Sequence, residues 1–348
     1  MRRAFSLIEL AVASAMAGII SIAAIGAFAG LNRQLVLLQS ESVASDNAKS
    51  LIDVMVSDLQ GVGGGPIRPW MALWVEDGAT ASTRTPRFAP PPSTTGVQPD
   101  RVTFASLIAN APTCRVTAIN GNAVASTGTV ASTGTGTTCC LDNLVANGNI
   151  RGRPFKAHAY VLAGARHRQI SLSAVEPTTC TATWAAGPLA PIDENPGGIG
   201  HFINGTIVAA RIKTVFLTRT RDLMEFEEKD DFNGGDVTLS PGEVSRIASD
   251  VYDFQVQLGF DRELDGRITD TGSATDEWLF NAAADSASSF APEAIRMVGV
   301  GVVVGVPLTD PDYQSSAQIV GGTTIRGSRL YLRGAMGKAA LRNLFIFF

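Results

Sequence analysis

The sequence predicts an α+β protein, with one long N-terminal helix ahead of a head built mainly of antiparallel strands. Three observations carry that reading. No charged residue occurs from Leu10 to Asn32, a run of 23 positions. The helical pattern continues past that run and stops at Gly61-Val-Gly-Gly-Gly-Pro66, a cluster of residues that break helices. Beyond the breaker, short alternating or wholly apolar runs are separated by Gly, Pro, Asn and Asp, the pattern of strands and turns. The 348 residues are 45% hydrophobic and 17% charged, which is enough apolar material for a sizeable core.

The helix has two halves. Its first part is apolar on every side, which sets it apart from a helix with one buried stripe. At 1.5 Å per residue, 23 positions cover the ~30 Å hydrocarbon layer of a membrane. Arg2 and Arg3 precede it, a basic flank that favours a cytoplasmic N-terminus and a head on the far side. A cleavable secretory signal has a shorter apolar core of about 7–15 residues. Glu9 is the one carboxylate in the apolar stretch that begins at Ala4, directly before the uncharged run, and a charge at such a position is costly and marks a function. Past Arg33, Leu35, Leu38, Ala44, Ala48, Leu51, Ile52, Met55 and Leu59 recur near i, i+3, i+4 spacing, with Gln39, Glu41, Asp46, Lys49, Asp53 and Asp58 between them. Residues 5–60 are thus expected to form one helix of roughly 84 Å.

The head, residues 61–348, carries candidate strands at Arg101–Leu107, His158–Leu162, Gln169–Ala174, Thr206–Leu217, Leu223–Glu227, Val251–Phe260, Ile295–Val306, Ile325–Leu332 and Ala339–Phe347. Thr80–Pro99 is rich in Pro and Ala123–Thr138 in Ser, Thr and Gly, and both read as loop insertions.

Side-chain chemistry excludes more than it assigns. The net charge is −4 with acids and bases interspersed, without the basic stripe that nucleic-acid binding requires. His158, His167 and His201 are scattered and no nucleophile, zinc or phosphate-loop motif occurs, so no catalytic activity is expected. The best cation candidate is Asp261-Arg-Glu263-Leu-Asp265-Gly266-Arg-Ile268. Its oxygen side chains at alternate positions resemble the start of a calcium loop, but Gly272 stands where the bidentate Glu belongs. Asp230, Asp231, Asn233 and Asp236 form a second acidic turn. Cys114, Cys139, Cys140 and Cys180 lack zinc-ligand spacing, and in an exported chain their even number predicts disulfides. A bond between the neighbours Cys139 and Cys140 is strained, leaving two pairings open.

At the N-terminus, Ala4-Phe5-Ser6-Leu7-Ile8-Glu9-Leu10 after two arginines resembles the leader junction of type IV pilins. The resemblance implies a leader of residues 1–4, cut by prepilin peptidase between Ala4 and Phe5, then N-methylation of Phe5. Most of the family carries Gly before the cut, and this chain has Ala4. It also implies a partner for Glu9, the new terminal amine of an adjacent subunit or its own. Within the head, Pro99-Asp-Arg-Val-Thr-Phe104, Ala210-Arg-Ile-Lys-Thr-Val-Phe-Leu217, Leu223-Met-Glu-Phe226 and Leu341-Arg-Asn343 are similar to segments of PilW-type minor pilins. Such a subunit helps to initiate a pilus with other minor pilins, the major pilin and a PilY-type tip protein. It starts in the inner membrane with its head in the periplasm and ends at the filament tip. J-type pseudopilins of type II secretion share these features, and a single-pass anchored binding domain is the reading in which no filament forms.

Overall fold

In this computed structural model the protein is described at residues 7–63, 67–68, 70, 72–76, 99–108, 112–121, 127–148, 157–164, 166–186, 199–218, 220–227, 244–269, 277–279, 294–308, 313–320, 323–327 and 329–341. Helix α1 runs Leu7–Gln60 and is followed by strands β1 Leu73–Glu76, β2 Arg101–Leu107, β3 Thr113–Gly121 and β4 Thr127–Ser132. A short helix, α2 Cys140–Gly148, precedes β5 Ala157–Ala163, β6 Arg166–Glu176, β7 Thr181–Ala186, β8 Thr206–Leu217, β9 Leu223–Glu227 and β10 Val244–Ala248. The chain continues with β11 Val251–Phe260, β12 Trp278–Leu279, β13 Ile295–Pro307, β14 Gln318–Val320, β15 Thr323–Ile325 and β16 Leu330–Ala340. The α+β architecture is therefore as the sequence indicates, and every named strand pairing is antiparallel.

Two regions with separate cores meet along β8 and β5. In the first, α1 lies on a sheet ordered β12-β11-β13-β16 and on the neighbouring run of β1, β2, β8, β9 and β10. Asp100 joins the two sheets: its N–H donates to Phe254 O at 2.9 Å, and its Oδ2 accepts the Val256 N–H at 2.6 Å. The second region is a small barrel. β3 pairs β4, β4 pairs β7, β7 pairs β6, β6 pairs β5, β5 pairs β8, and β8 returns to β3. Six strands thus close a ring, and its interior is filled by Val116, Ile119, Val130, Ile170, Leu172 and Trp184 with Leu141 and Leu144 of α2. Closure leaves these strands no free edge.

Strand β8 serves both cores because side chains alternate across a strand. Ile207 and Ala209 point into the barrel, while Val208, Ala210 and Ile212 point toward α1. β5 does the same, with Ala159 and Val161 inward and Tyr160 fully buried in the helix-side core. Trp70 meets His167 edge to face at 4.9 Å between ring centroids, adding a further contact between the regions.

Three sequence expectations change. The segment Ala123–Thr138 is not wholly a loop: its residues Thr127–Ser132 form β4, paired on both sides, because Thr and Val in alternation suit a half-buried strand despite the intervening glycine. Ile325–Leu332 is divided between the end of β15 and the start of β16. The last strand ends at Ala340 rather than running from Ala339 to Phe347, and residues 342–348 fall outside the described set. Residues 80–98 of the Pro-rich segment, Ala4, Phe5 and the second acidic turn also fall outside it.

Candidate functional site

Helix α1 spans 54 residues, and every residue from Leu7 to Val36 is exposed. That bare segment is roughly 45 Å long. Eleven large apolar side chains between Leu7 and Leu31 are 50–85% exposed. At about 1.5–3 kcal/mol per buried side chain, covering them in lipid or among other helices is worth on the order of 20–30 kcal/mol. This is a helix long and apolar enough to cross a membrane. Its few hydroxyls suit such surroundings. Ser14 Oγ donates to Leu10 O and Ser21 Oγ to Ala17 O, each at 2.8 Å, so neither depends on water. Glu9 lies in the exposed segment, within the first turns of the helix.

The second half of α1 is held by the head. Ala44, Ala48, Leu51, Ile52, Met55 and Leu59 are buried at the expected helical spacing. The helix comes very close to β16 at Gly337, where any Cβ would meet the side chains of Ile52 and Val56. On its other flank Asp58 reaches Lys213 of β8 at 3.4 Å, and Lys213 also binds Glu225 of β9 at 3.1 Å. Burial works against the Lys213 ammonium, but the Glu225 and Asp58 carboxylates hold its pKa above the ordinary lysine value. The periodic apolar residues of α1 were legible in the sequence, whereas Lys213 and Gly337 were not. Their roles depend on residues more than 150 positions away.

The acidic turn after β11 is organised by its own backbone. Asp261, 5% exposed, accepts the Asp265 N–H at 3.0 Å and the Gly266 N–H at 3.2 Å, one on each carboxylate oxygen. Asp265 Oδ1 accepts the Arg267 N–H at 2.8 Å, and Glu263 is exposed. Glu277 closes the turn by accepting N–H groups from Arg262 at 2.9 Å and Thr269 at 2.7 Å. Burial pushes the Glu277 carboxyl up, but these hydrogen bonds outweigh it and leave the pKa below the ordinary value. Among the described residues no group of three or more His, Cys, Asp and Glu side chains is gathered as a cation site. Both oxygens of Asp261 and one of Asp265 accept backbone N–H groups of the turn itself.

The cysteines form two bridges, both in the barrel. Cys140, at the start of α2, joins Cys114 of β3 with 5.6 Å between Cα atoms, and Cys139 joins Cys180 of the β6–β7 turn at 5.2 Å. This resolves the pairing that the sequence left open. The closed segments span 26 and 41 positions, each worth about 3–4 kcal/mol in a chain-entropy account.

Two other buried groups have raised pKa values. Burial pushes the Tyr160 phenol well above its ordinary pKa, so it stays neutral at any working pH. Asp253 of β11 is 3% exposed, and its carboxyl is pushed up by burial to about 6 although Gln255 donates to it at 3.0 Å. Comparison with protein-family models, with curated proteins and with solved structures gave no match to this chain.

Proposed function

We propose that the chain is a minor pilin of a type IV pilus, of the PilW type, which helps to start filament assembly from the tip. The observation that carries this reading is the division of α1. Thirty exposed residues, whose only charges are Glu9 and Arg33, extend from a head that buries the helix from Ser40 onward. A membrane anchor needs about 20 apolar residues and no continuous stalk. A subunit whose helix leaves lipid to pack among other helices needs such a stem, together with a head that stays outside the bundle.

In this reading the leader Met1–Ala4 is removed in the inner membrane and the new amine of Phe5 is methylated. Glu9 then pairs with a terminal amine in the apolar filament core, because a buried carboxylate requires a cation close by. The barrel suits a tip position, since it enlarges the head on a side that a following subunit need not cover. Other minor pilins, the major pilin and a PilY-type tip protein are the partners this implies.

Mass spectrometry of the protein made beside prepilin peptidase tests the reading directly. The expected product begins at methylated Phe5, and an intact Met1-Arg2-Arg3 leader would overturn it. Glu9→Ala should leave the protein in the membrane and lower surface piliation severalfold. Unchanged piliation would point instead to an anchored domain that does not polymerise.

A further inference from the structure

The two disulfides stand side by side, because Cys139 and Cys140 are neighbours in sequence, yet they differ in access to solvent. Cys114, Cys139 and Cys180 are fully buried, and Cys140 is half-buried at the margin of the barrel core. The Cys114–Cys140 bridge therefore offers one sulfur to an external reagent, and the Cys139–Cys180 bridge offers none. A disulfide opens when a thiolate attacks one of its sulfurs, so access decides which bridge exchanges in the folded protein.

The surroundings of the buried bridge keep the start of α2 in place. The Cys140 N–H donates to Thr133 O at 3.3 Å, and the Asp142 N–H donates to Cys139 Sγ at 3.5 Å. Cys180 Sγ lies 3.3 Å from Ser132 Oγ and 3.4 Å from Thr133 O. Leu141 and Leu144, just after the cysteines, are fully buried inside the barrel. On the opposite side, Cys114 is fixed by the β3–β8 ladder, in register with Ile207. None of these contacts passes through the Cys114–Cys140 bond. With that bond open, Cys140 stays opposite Cys114, and Thr113 O, 3.5 Å from Cys140 Sγ, accepts its S–H. Reclosure then joins two groups already held together, which is faster than an encounter between free thiols.

We propose that Cys114–Cys140 is a reversible thiol–disulfide exchange site, entered at Cys140 by an external dithiol, while Cys139–Cys180 keeps the site assembled. One thiolate of the dithiol bonds to Cys140 Sγ as the Cys114–Cys140 bond breaks, and Cys114 leaves as a thiolate that takes up a proton. The second thiolate then attacks the dithiol's own sulfur in the mixed disulfide and releases Cys140. The protein bridge gains two electrons and the dithiol becomes a disulfide; the reverse sequence closes the bridge. The matching partner is a dithiol–disulfide oxidoreductase with an exposed thiol pair. The site belongs to the barrel, and the inference stands whether or not the chain builds a filament.

The test treats the full chain in detergent micelles with dithiothreitol and, separately, with reduced thioredoxin as a protein dithiol. Opened cysteines are then located by alkylation and mass spectrometry. Cys114 and Cys140 should be labelled together, roughly tenfold or more ahead of Cys139 and Cys180, with near-ultraviolet circular dichroism retained. Exchange into oxidised glutathione should restore the same pair. Two variants check the point of entry. Cys114→Ser leaves Cys140 as a free thiol, which should form a mixed disulfide with oxidised glutathione. Cys140→Ser leaves Cys114, which should stay unmodified until the head unfolds. Equal labelling of both bridges, earlier opening of Cys139–Cys180, or opening of Cys114–Cys140 only together with unfolding would overturn the proposal. So would closure into a different pair, or Cys114 reacting as fast as Cys140 in the two variants. Opening by dithiothreitol but not by thioredoxin would overturn the assignment of a protein partner. If either variant fails to fold, the order of labelling in the unsubstituted chain decides.

Discussion

The helix-and-sheet region and the barrel solve the same problem in different ways. The first buries one face of its sheets under a helix whose other end leaves the head entirely, and among the described residues its four-stranded sheet ends on β16. The barrel closes on itself, fills its interior with Trp184 and aliphatic side chains, and is crossed by two disulfides. One region leaves half of its helix outside the head, and the other closes on itself. They are nevertheless not independent, because β8 and β5 lend alternate side chains to both cores.

That contrast can be broken by experiment, beginning with the largest expected effect. Trp184→Ala empties the middle of the barrel and should cost about 3–5 kcal/mol. Amide exchange should rise across β3–β7 while β11, β13 and β16 keep their protection; equal loss in both would show a single cooperative unit. Replacing Cys139 and Cys180 by Ser should cost about 3–4 kcal/mol and loosen the same strands. A fall in protection led by β13 and β16 would contradict the placement of that bridge.

A smaller effect lies in the helix-side region. Asp253 holds its proton more tightly in the folded state, with a pKa near 6 against an ordinary 3.8. Its contribution is present in full below about pH 4 and is lost as pH rises through about 6, at most roughly 3 kcal/mol. Asp253→Asn should flatten that part of the stability curve, as read by chemical denaturation at pH 4, 5, 6 and 7. Glu277 acts in the opposite sense, since its lowered pKa gives stability that is lost as pH falls through the carboxylate range. Smallest of all, Lys213→Met removes a partly exposed ion-pair network and should cost about 1 kcal/mol. Its expected signature is faster exchange in the last turns of α1, next to Asp58.

Much of this was legible in the residues. The long helix, its apolar and amphipathic halves and the breaker at Gly61 follow from periodicity alone. β2, β8, β9 and β11 have the bounds that alternation predicts, since they combine β-branched residues with clear turn signals. The sequence reading does not reach β1, β3, β4, β7, β10, β12 and β14; of these, β3, β4 and β7 are rich in Thr, Ala and Gly, whose polarity resembles a loop until the pairing partner is known. Gln169 and Ser171 carry the same lesson in β6: they are buried polar residues on the outside of a barrel, covered by the other region.

By itself, the sequence determined that this is an α+β chain with a membrane-length N-terminal helix, one carboxylate within it, and four cysteines able to pair. Those are local properties, set by residue type and spacing along one stretch of chain. The tertiary structure alone decided that the middle of the head closes into a barrel, that Cys114 meets Cys140 and Cys139 meets Cys180, and that β16 is left at an edge. Each of these depends on which strands become neighbours. Strand neighbours are chosen by long-range packing, and no window of sequence contains that information.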